Sequence, residues 1–161
     1  MANDQKGAIL VVDDDQLNRM VMGKYLENEG HQVFFAINGV DALKKLANQT
    51  FDMLLLDIEM PEMDGYEVLE HMLGDSILRD IPVIVTSAIE QIDSVVRCIE
   101  MGAEDYLPKP VDRVLLKARI DASLEKKHLR DEESKLLNQL EREMDIARET
   151  QLSILPAHLP E

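Results

Sequence analysis

Acidic side chains follow two apolar segments of the chain, each at the point where the segment ends. Residues 13–15 are all Asp and follow the segment 8–12, and Asp57 follows the segment 53–56. Carboxylates about 4 Å apart repel one another by about 4 kcal/mol per pair at an effective dielectric near 20. Such a group takes up a proton or a cation. Oxygen ligands without His or Cys favour a hard cation, and a site that keeps water suits Mg²⁺.

Two further polar side chains, Ser87 and Lys109, come at or after the ends of later apolar segments. Together with Asp57 they are the residue types that phosphoryl transfer requires. A carboxylate is a nucleophile that forms an acyl phosphate, a lysine and a metal neutralise the transferred oxygens, and a hydroxyl donates to one of them. Taken alone, residues 13–15 are better explained as helix caps and loop acids. Because Asp57, Ser87 and Lys109 also lie at or after the ends of apolar segments, we favour a functional site that includes residues 13–15.

The elements that would position these residues are five predicted strands that alternate with five predicted helices. The strands are predicted at 8–12, 31–36, 53–57, 81–85 and 103–107. Helices are predicted after each, with an N-cap at Asp15, one helix from about Gln91, and a last long helix from near Asp112. Alternation of this kind is typical of βα units and a parallel sheet with helices on both faces. The carboxyl ends of parallel strands share one edge, where ligands bind.

The totals exclude several classes of function. The chain has 161 residues and a net charge of −15, so it repels phosphate backbones, and we expect no nucleic-acid partner. No apolar run is long enough to span a membrane, and the amino terminus lacks a secretory signal. Cys98 is the single cysteine, which leaves no disulfide framework. We expect a cytoplasmic protein.

The composition changes after Ser123, where a charged stretch without Gly or Pro predicts an exposed extension of the last helix. A seam of apolar and polar residues then follows at alternating spacings of three and four: Leu137, Leu140, Met144, Ala147, Gln151 and Ile154. This pattern indicates a coiled coil, and we expect a homodimer through it. The alternative is one amphipathic helix packed on its own domain or on sequence outside this chain.

Residues 8 to about 122 closely resemble the receiver domain of two-component response regulators. The residues that carry the resemblance are Val11-Val12-Asp13-Asp14, Leu56-Asp57-Ile58-Glu59-Met60-Pro61 with Asp64-Gly65, Pro82-Val83-Ile84 leading to Ser87-Ala88, and Gly102-Ala103-Glu104-Asp105-Tyr106-Leu107 with Lys109-Pro110. The resemblance implies an α/β, flavodoxin-like, doubly wound five-stranded parallel sheet of order 2-1-3-4-5. We predict this fold, followed by an extended C-terminal coiled-coil-like helix.

The resemblance also implies a role for each acid. Asp57 would be the phosphoacceptor from a sensor histidine kinase. Asp14 and Asp57 would bind Mg²⁺ directly, aided by the backbone carbonyl of Glu59, and Asp13 would act mainly through water.

The remaining site residues follow from the same resemblance. Ser87 and Lys109 would hold the phosphoryl group, with Ser in a place where the family often has Thr. Tyr106 matches the aromatic switch residue that is coupled to Ser87, and Lys109-Pro110 matches a bond that is usually cis.

A second resemblance lies in the tail, where residues 144–156 are similar to the segment that opens many bacterial PP2C-like serine/threonine phosphatase domains. We therefore predict a receiver at 1–122, a helical coiled-coil linker at 123–154, and the start of an absent output domain or a tail at 155–161. No dedicated enzymatic domain is expected in this chain beyond self-phosphorylation and autodephosphorylation.

Two other interpretations remain. A stand-alone receiver would act as a phosphorylation-controlled adaptor that binds a protein partner. A phosphohydrolase of the haloacid dehalogenase type also places Asp at a strand end, but it needs a second Asp where this chain has Glu59.

Overall fold

A computed structural model describes residues 6–88 and 92–154, with side chains as far as Gln151. The strands are β1 (Ala8–Val12), β2 (Gln32–Ala36), β3 (Met53–Asp57), β4 (Val83–Ala88) and β5 (Asp105–Lys109). The helices are α1 (Gln16–Asn28), α2 (Gly39–Asn48), α3 (Gly65–Leu73), α4 (Ile92–Glu100) and α5 (Arg113–Ile154), with a short 3₁₀ turn at Leu78–Asp80. Of the predicted elements, the start of the helix at Gln91 and the segment 155–161 lie outside the described residues.

The five strands form one parallel sheet in the order β2-β1-β3-β4-β5. This order and the α/β architecture confirm the predicted flavodoxin-like fold, and the long last helix confirms the predicted C-terminal extension. All five residues of β3 are buried, because this central strand has a neighbouring strand on each side and helices on each face. Burial on both faces explains why β3 is a continuous apolar run and not an alternating one.

Alternate residues of the sheet contribute to two apolar clusters, one on each face. Leu54 and Leu56 of β3 pack with side chains from α2, α3 and α4. Met53 and Leu55 face the other way and pack with α1 and with the first part of α5. The alternation follows from the two-residue period of a strand.

The N-cap of α1 is the residue that the sequence predicts. The Asp15 carboxylate accepts hydrogen bonds from the backbone N–H groups of Leu17 and Asn18, at 2.8 and 3.2 Å, which confirms it as the N-cap. After the helix, Gly30 has a φ of +92°, a conformation that favours glycine. The N-cap fixes the direction in which the chain leaves residues 13–15.

Two predicted strand boundaries are wrong. β4 continues through Thr86, Ser87 and Ala88, and β5 occupies residues 105–109 and not 103–107. The two strands stay paired to their ends, with Ser87 opposite Pro108 and Ala88 opposite Lys109. Proline is tolerated there because β5 lies at the edge of the sheet, where a missing N–H breaks no interior ladder.

The chain divides at Glu125 into two compact units, Met1–Glu125 and Lys126–Glu161. In the second unit every side chain from residue 128 to 151 is exposed. Its apolar side chains in this range are therefore exposed. None of the helices in the described ranges combines the length and apolar character needed to cross a bilayer.

Candidate functional site

The carboxyl ends of β1 and β3 place the predicted acids side by side. Val12 pairs with Leu56 in the sheet register, so Asp13 and Asp57 are the next residues on adjacent strands. Both residues are almost fully buried, at 0% and 3% exposure, whereas Asp14 is exposed. One carboxylate oxygen from each of Asp13, Asp14 and Asp57 lies within 4.8 Å of the other two.

Lys109 enters the same cluster from the end of β5. Its Nζ lies 3.0 Å from Asp57 Oδ1 and 3.3 Å from Asp13 Oδ2. The ammonium therefore neutralises part of the charge of the acids, and its side chain is itself three-quarters buried. Lysine is suited to this place because its compact charge reaches two carboxylates at the end of a flexible stem.

The protonation of the buried acid reflects this environment. Burial raises the pKa of Asp57 from its ordinary value of 3.8 to about 6, against the opposing effect of Lys109 and with a further contribution from Asp13. Burial alone would lower the pKa of Lys109, but the carboxylates of Asp57 and Asp13 outweigh it and raise that pKa. Near neutral pH the site therefore holds an ionised, weakly solvated carboxylate beside a charged amine, a state suited to a nucleophile.

The donor set fits Mg²⁺. Three carboxylates converge within reach of one ion, no sulfur or imidazole joins them among the described residues, and the buried Asp13 Oδ2 has the Lys109 ammonium at 3.3 Å as its partner. Hard oxygen ligands that lie partly open to solvent are the environment in which Mg²⁺ keeps several of its waters.

The turn after β1 is held by hydrogen bonds within and around the acidic triplet. Asp13 Oδ1 accepts from the backbone N–H of Asp15 at 2.9 Å. Arg19 Nη1, one turn into α1, donates to the backbone carbonyl of Asp13 at 2.6 Å. Arg19 was not among the residues predicted for the site, and its spacing from Asp15 is the only signal that would place it near this turn.

The loop between β3 and α3 folds closely over Asp57. The backbone N–H of Glu59 donates to Asp57 Oδ1 at 3.2 Å, and that of Gly65 donates to the carbonyl of Ile58 at 2.9 Å. A Cβ on Gly65 would lie 2.8 Å from the Asp57 carbonyl oxygen, so this position has room only for glycine. In the same loop Glu62 has a φ of 68°, which is strained for a residue with a side chain.

Ser87 lies near the carboxyl end of β4, at the predicted edge of the sheet, whereas Tyr106 is the second residue of β5. The Ser87 hydroxyl donates to the carbonyl of Ala88 at 3.0 Å. Tyr106 is half-buried on β5, opposite Val85. Among the described residues that line the acidic cavity, neither Ser87 nor Tyr106 is included.

The acids open into a cavity of about 700 Å³. Its lining combines the predicted Asp13, Asp14, Asp57, Glu59 and Lys109 with residues that were not predicted from the sequence, including Asn18, Asp64, Tyr66 and Ser94. The guanidinium of Arg97 on α4 lies 3.9 Å from the ring centre of Tyr66 on α3, a cation–π contact. This contact joins two helices that border the cavity, and sequence spacing gives no signal for it.

The peptide bond between Lys109 and Pro110, at the end of β5, is cis, as expected.

Several proteins of known sequence are similar to this chain. A family model described as the response regulator receiver domain matches residues 9–121. The response regulator MprA of Mycobacterium ulcerans is 39% identical over 128 residues, which cover 78% of this chain and 53% of MprA. The response regulator PleD of Caulobacter vibrioides is 38% identical over 112 residues, which cover 70% of this chain and 25% of PleD. The chain thus spans at most about half the length of these relatives.

Solved structures agree with this similarity. The receiver domain of a signal transduction histidine kinase from Syntrophus aciditrophicus is 34% identical, with a TM-score of 0.70, and the match covers 74% of this chain and 91% of that one. The receiver domain of the sensor histidine kinase PA1611 from Pseudomonas aeruginosa, which has a magnesium ion coordinated in its active-site cleft, is 27% identical with a TM-score of 0.69. That match covers 74% of this chain and 98% of that domain. The family model, the sequence relatives and the solved structures agree that this chain belongs to the response regulator receiver domain family.

Proposed function

We propose that this chain is the input half of a two-component response regulator, in which Asp57 accepts a phosphoryl group from a sensor histidine kinase. The observation that carries the proposal is the placement of Asp57. Its carboxylate is buried at a strand end, within reach of two further carboxylates and 3.0 Å from the Lys109 ammonium.

In the proposed step, a carboxylate oxygen of Asp57 forms a bond to phosphorus while the P–N bond to the donor imidazole breaks. Lys109, already 3.0 Å from Asp57 Oδ1, supplies positive charge next to the transferred oxygens. Ser87 donates its hydroxyl to one of them after leaving the carbonyl of Ala88. These groups act by positioning and by charge, which supply most of the catalysis in phosphoryl transfer.

The same proposal assigns the metal site. Asp14 and Asp57 would hold Mg²⁺ directly with the backbone carbonyl of Glu59, and Asp13 would act mainly through water. When bound, the ion neutralises negative charge that develops on the phosphoryl oxygens. The magnesium in the cleft of the PA1611 receiver domain supports this assignment. The fit of the three carboxylates supports it independently.

Signalling would begin at Ser87. Movement of its hydroxyl toward the phosphoryl group would let Tyr106, half-buried on the neighbouring strand, move inward. A phosphoryl group shifts the balance between two such states by its differential affinity for them. We therefore propose Tyr106 as the switch residue.

The downstream half of the proposal concerns the last helix. Residues 1–122 would be the receiver, and residues 123–154 would be a coiled-coil linker through which two copies associate. The segment 155–161 would lead to an output domain. The similarity of residues 144–156 to the opening of PP2C-like serine/threonine phosphatases makes such a phosphatase the proposed output.

An adaptor that binds a protein partner in place of a fused output is the second candidate. The observation that favours it is the exposure of apolar side chains in the second unit, where Leu136, Leu137 and Ile146 are all more than half exposed. Such side chains would give a protein partner an apolar surface to bind.

The proposal is tested by binding of beryllofluoride, a phosphoryl mimic, in the presence and absence of Mg²⁺. We expect Mg²⁺-dependent binding by the natural chain and its loss in Asp57→Asn. A suitable control is Asp64→Asn, because Asp64 also lines the cavity and an Asn there still accepts the hydrogen bond from Glu67 that caps α3. Binding that survives in Asp57→Asn would show that Asp57 is not the acceptor.

A further inference from the structure

An exposed apolar stripe runs along the second unit of the chain. Leu137, Leu140 and Met144 on α5 are 52%, 46% and 60% exposed, and Ala147 continues the stripe. The spacings of three, four and three residues keep these side chains on one face of the helix. A stripe of this kind in a charged helix is the seam through which helices associate in a coiled coil.

The spacing fixes the heptad positions. Leu137 and Met144 take position a, and Leu140 and Ala147 take position d. Glu143 then lies at position g and Arg148 at position e, the two positions that flank the seam. Side chains at e and g set the partner and the orientation in coiled coils.

A parallel, in-register pair of helices makes these flanking charges complementary. In that geometry a g residue faces the e residue five positions later on the other helix. Glu143 therefore faces the partner's Arg148, and symmetry repeats the contact on the other side. Within a single chain, Arg148 lies 3.7 Å from Asp145 and Glu143 lies 3.5 Å from Gln139, distances at the long end for such contacts.

An antiparallel pair places like charges beside each other. Matching the four apolar layers requires Leu137 opposite the partner's Ala147 and Leu140 opposite the partner's Met144. In antiparallel pairs, g residues face g residues and e residues face e residues. Glu143 would then lie beside the partner's Glu143, and Glu141, also at an e position, beside the partner's Glu141. Like charges in these places disfavour the antiparallel arrangement.

We propose that the segment from Leu137 to Arg148 joins two copies of this chain in a parallel, in-register coiled coil, with Glu143 of each copy paired to Arg148 of the other. The proposal rests on the proposed function in assigning the linker to dimerisation, and it adds the orientation, the register and the pairing residues. Upstream, the corresponding a and d positions hold Arg130 and Glu133, so the apolar seam begins at Leu137. A seam this short associates in a concentration-dependent way.

Cysteine cross-linking of the unphosphorylated chain tests the orientation. Cys98 is buried, and Cys98→Ala removes it. In that background, Leu140→Cys and Met144→Cys are each expected to form a covalent dimer on mild oxidation, because a parallel pair places identical a or d residues opposite each other. Arg142→Cys, on the outer face of the helix, is the matched control and should not cross-link. Cross-linking only in a mixture of the Leu140→Cys and Met144→Cys chains would show an antiparallel pair and overturn the proposal.

A charge exchange tests the pairing residues by sedimentation equilibrium. Arg148→Glu is expected to raise the dimer Kd about tenfold, since two attractive contacts become repulsive. The double variant Glu143→Arg with Arg148→Glu should restore dimerisation. Because the double variant does not restore the contact between Arg148 and Asp145 in the same helix, recovery would identify the contact between chains. No recovery would refute the pairing.

The outcomes for the coiled coil and for the proposed function are distinguishable. A chain that stays monomeric at every concentration, with Asp57 still binding beryllofluoride, would overturn the coiled coil alone. A cross-linked parallel dimer that binds no beryllofluoride would overturn the phosphoacceptor alone.

Discussion

Asp57 lies in a buried environment that disfavours its ionised form. Its pKa is raised from 3.8 to about 6 by burial, so ionising it in the folded protein costs free energy that ionising it in the unfolded chain does not. This cost is the physical basis for the cation binding that is proposed for it. An ionised carboxylate that water solvates poorly gains more from Mg²⁺ than an exposed one does.

Replacement of this acid should therefore stabilise the metal-free protein. At pH 7.5 in EDTA, Asp57→Asn is expected to raise the free energy of unfolding by up to about 3 kcal/mol, the equivalent of the raised pKa. The sign follows from linkage: an acid whose folded-state pKa is raised costs stability above pH 6, and the cost vanishes below pH 3.8. Urea unfolding of both chains at several pH values measures this difference in the free energy of unfolding. A gain that does not shrink between about pH 7.5 and about pH 4.5 would contradict the assignment of the cost to ionisation.

His31 is a second buried titratable residue, remote from the proposed chemistry. It is 6% exposed, and its Nδ1 accepts a hydrogen bond from the backbone N–H of Gly7 at 3.2 Å. Burial is the largest influence and lowers its pKa, with Lys6 acting in the same direction and Asp121 and Glu29 opposing. The neutral imidazole is the form that accepts the bond.

The stability that His31 contributes should be present above pH 6.5 and be lost as the pH falls through and below that value. In acid, the histidine of the unfolded chain binds a proton more readily than the buried histidine of the folded protein does. Protonation therefore shifts the folding equilibrium toward the unfolded state. We expect the stability difference between the natural chain and His31→Gln, measured by urea unfolding, to decrease from about pH 7.5 to about pH 5.5. A difference independent of pH in this interval would count against a buried neutral histidine.

Among the secondary-structure elements, the loop after β3 is held over the acid by close backbone contacts. A Cβ on Gly65 would lie 2.8 Å from both the carbonyl oxygen of Asp57 and the Cα of Ile58. These are backbone atoms, which move only if the strand end moves with them. The loop and the strand end are therefore one unit, and the position of Asp57 depends on α3.

Gly65→Ala is expected to destabilise the fold by about 1–3 kcal/mol and to weaken Mg²⁺-dependent beryllofluoride binding in the protein that remains folded. Gly74→Ala is the matched control, because a Cβ there would be no closer than 3.6 Å to its neighbours. Circular dichroism establishes the folded fraction, and titration of that fraction gives the affinity. Unchanged affinity in folded Gly65→Ala would show that the loop does not position Asp57.

The contact between α1 and β2 depends on another glycine. A Cβ on Gly23 would lie 2.5 Å from Cζ of the Phe35 ring. In an exposed helix, Gly→Ala stabilises by up to about 1 kcal/mol. Here we expect Gly23→Ala to destabilise by about 1–3 kcal/mol, because α1 or the ring must shift. Thermal unfolding measures the change. A rise in Tm would indicate that the helix moves outward without cost.

The same elements show how far sequence reasoning extends. Continuous apolar runs located β1 and β3, since strands buried on both faces leave a pattern that survives without any tertiary information. The end of β5 was misplaced because Pro108 is compatible with an edge strand, and edge position is a property of the sheet and not of the segment. Strand order came from the family resemblance, because periodicity does not encode which strands pair.

In the molecule as a whole, the acids and Lys109 could be located from the sequence, but the contacts that hold them could not. Asp13, Asp14, Asp57 and Lys109 were predictable because each follows or ends a recognisable strand. Arg19 binds a backbone carbonyl, and the contact between Arg97 and Tyr66 joins two helices. Neither contact follows from spacing along the chain, because both depend on how helices pack on the sheet.

Mass spectrometry of the chain after reaction with acetyl phosphate would decide whether Asp57 accepts the phosphoryl group. With Mg²⁺ present, we expect one added phosphoryl group, located on the peptide that contains Asp57. We expect no addition in EDTA or in Asp57→Asn, and continued addition in Asp64→Asn. A phosphoryl group found on another residue, or retained in Asp57→Asn, would contradict the assignment of Asp57 as the acceptor.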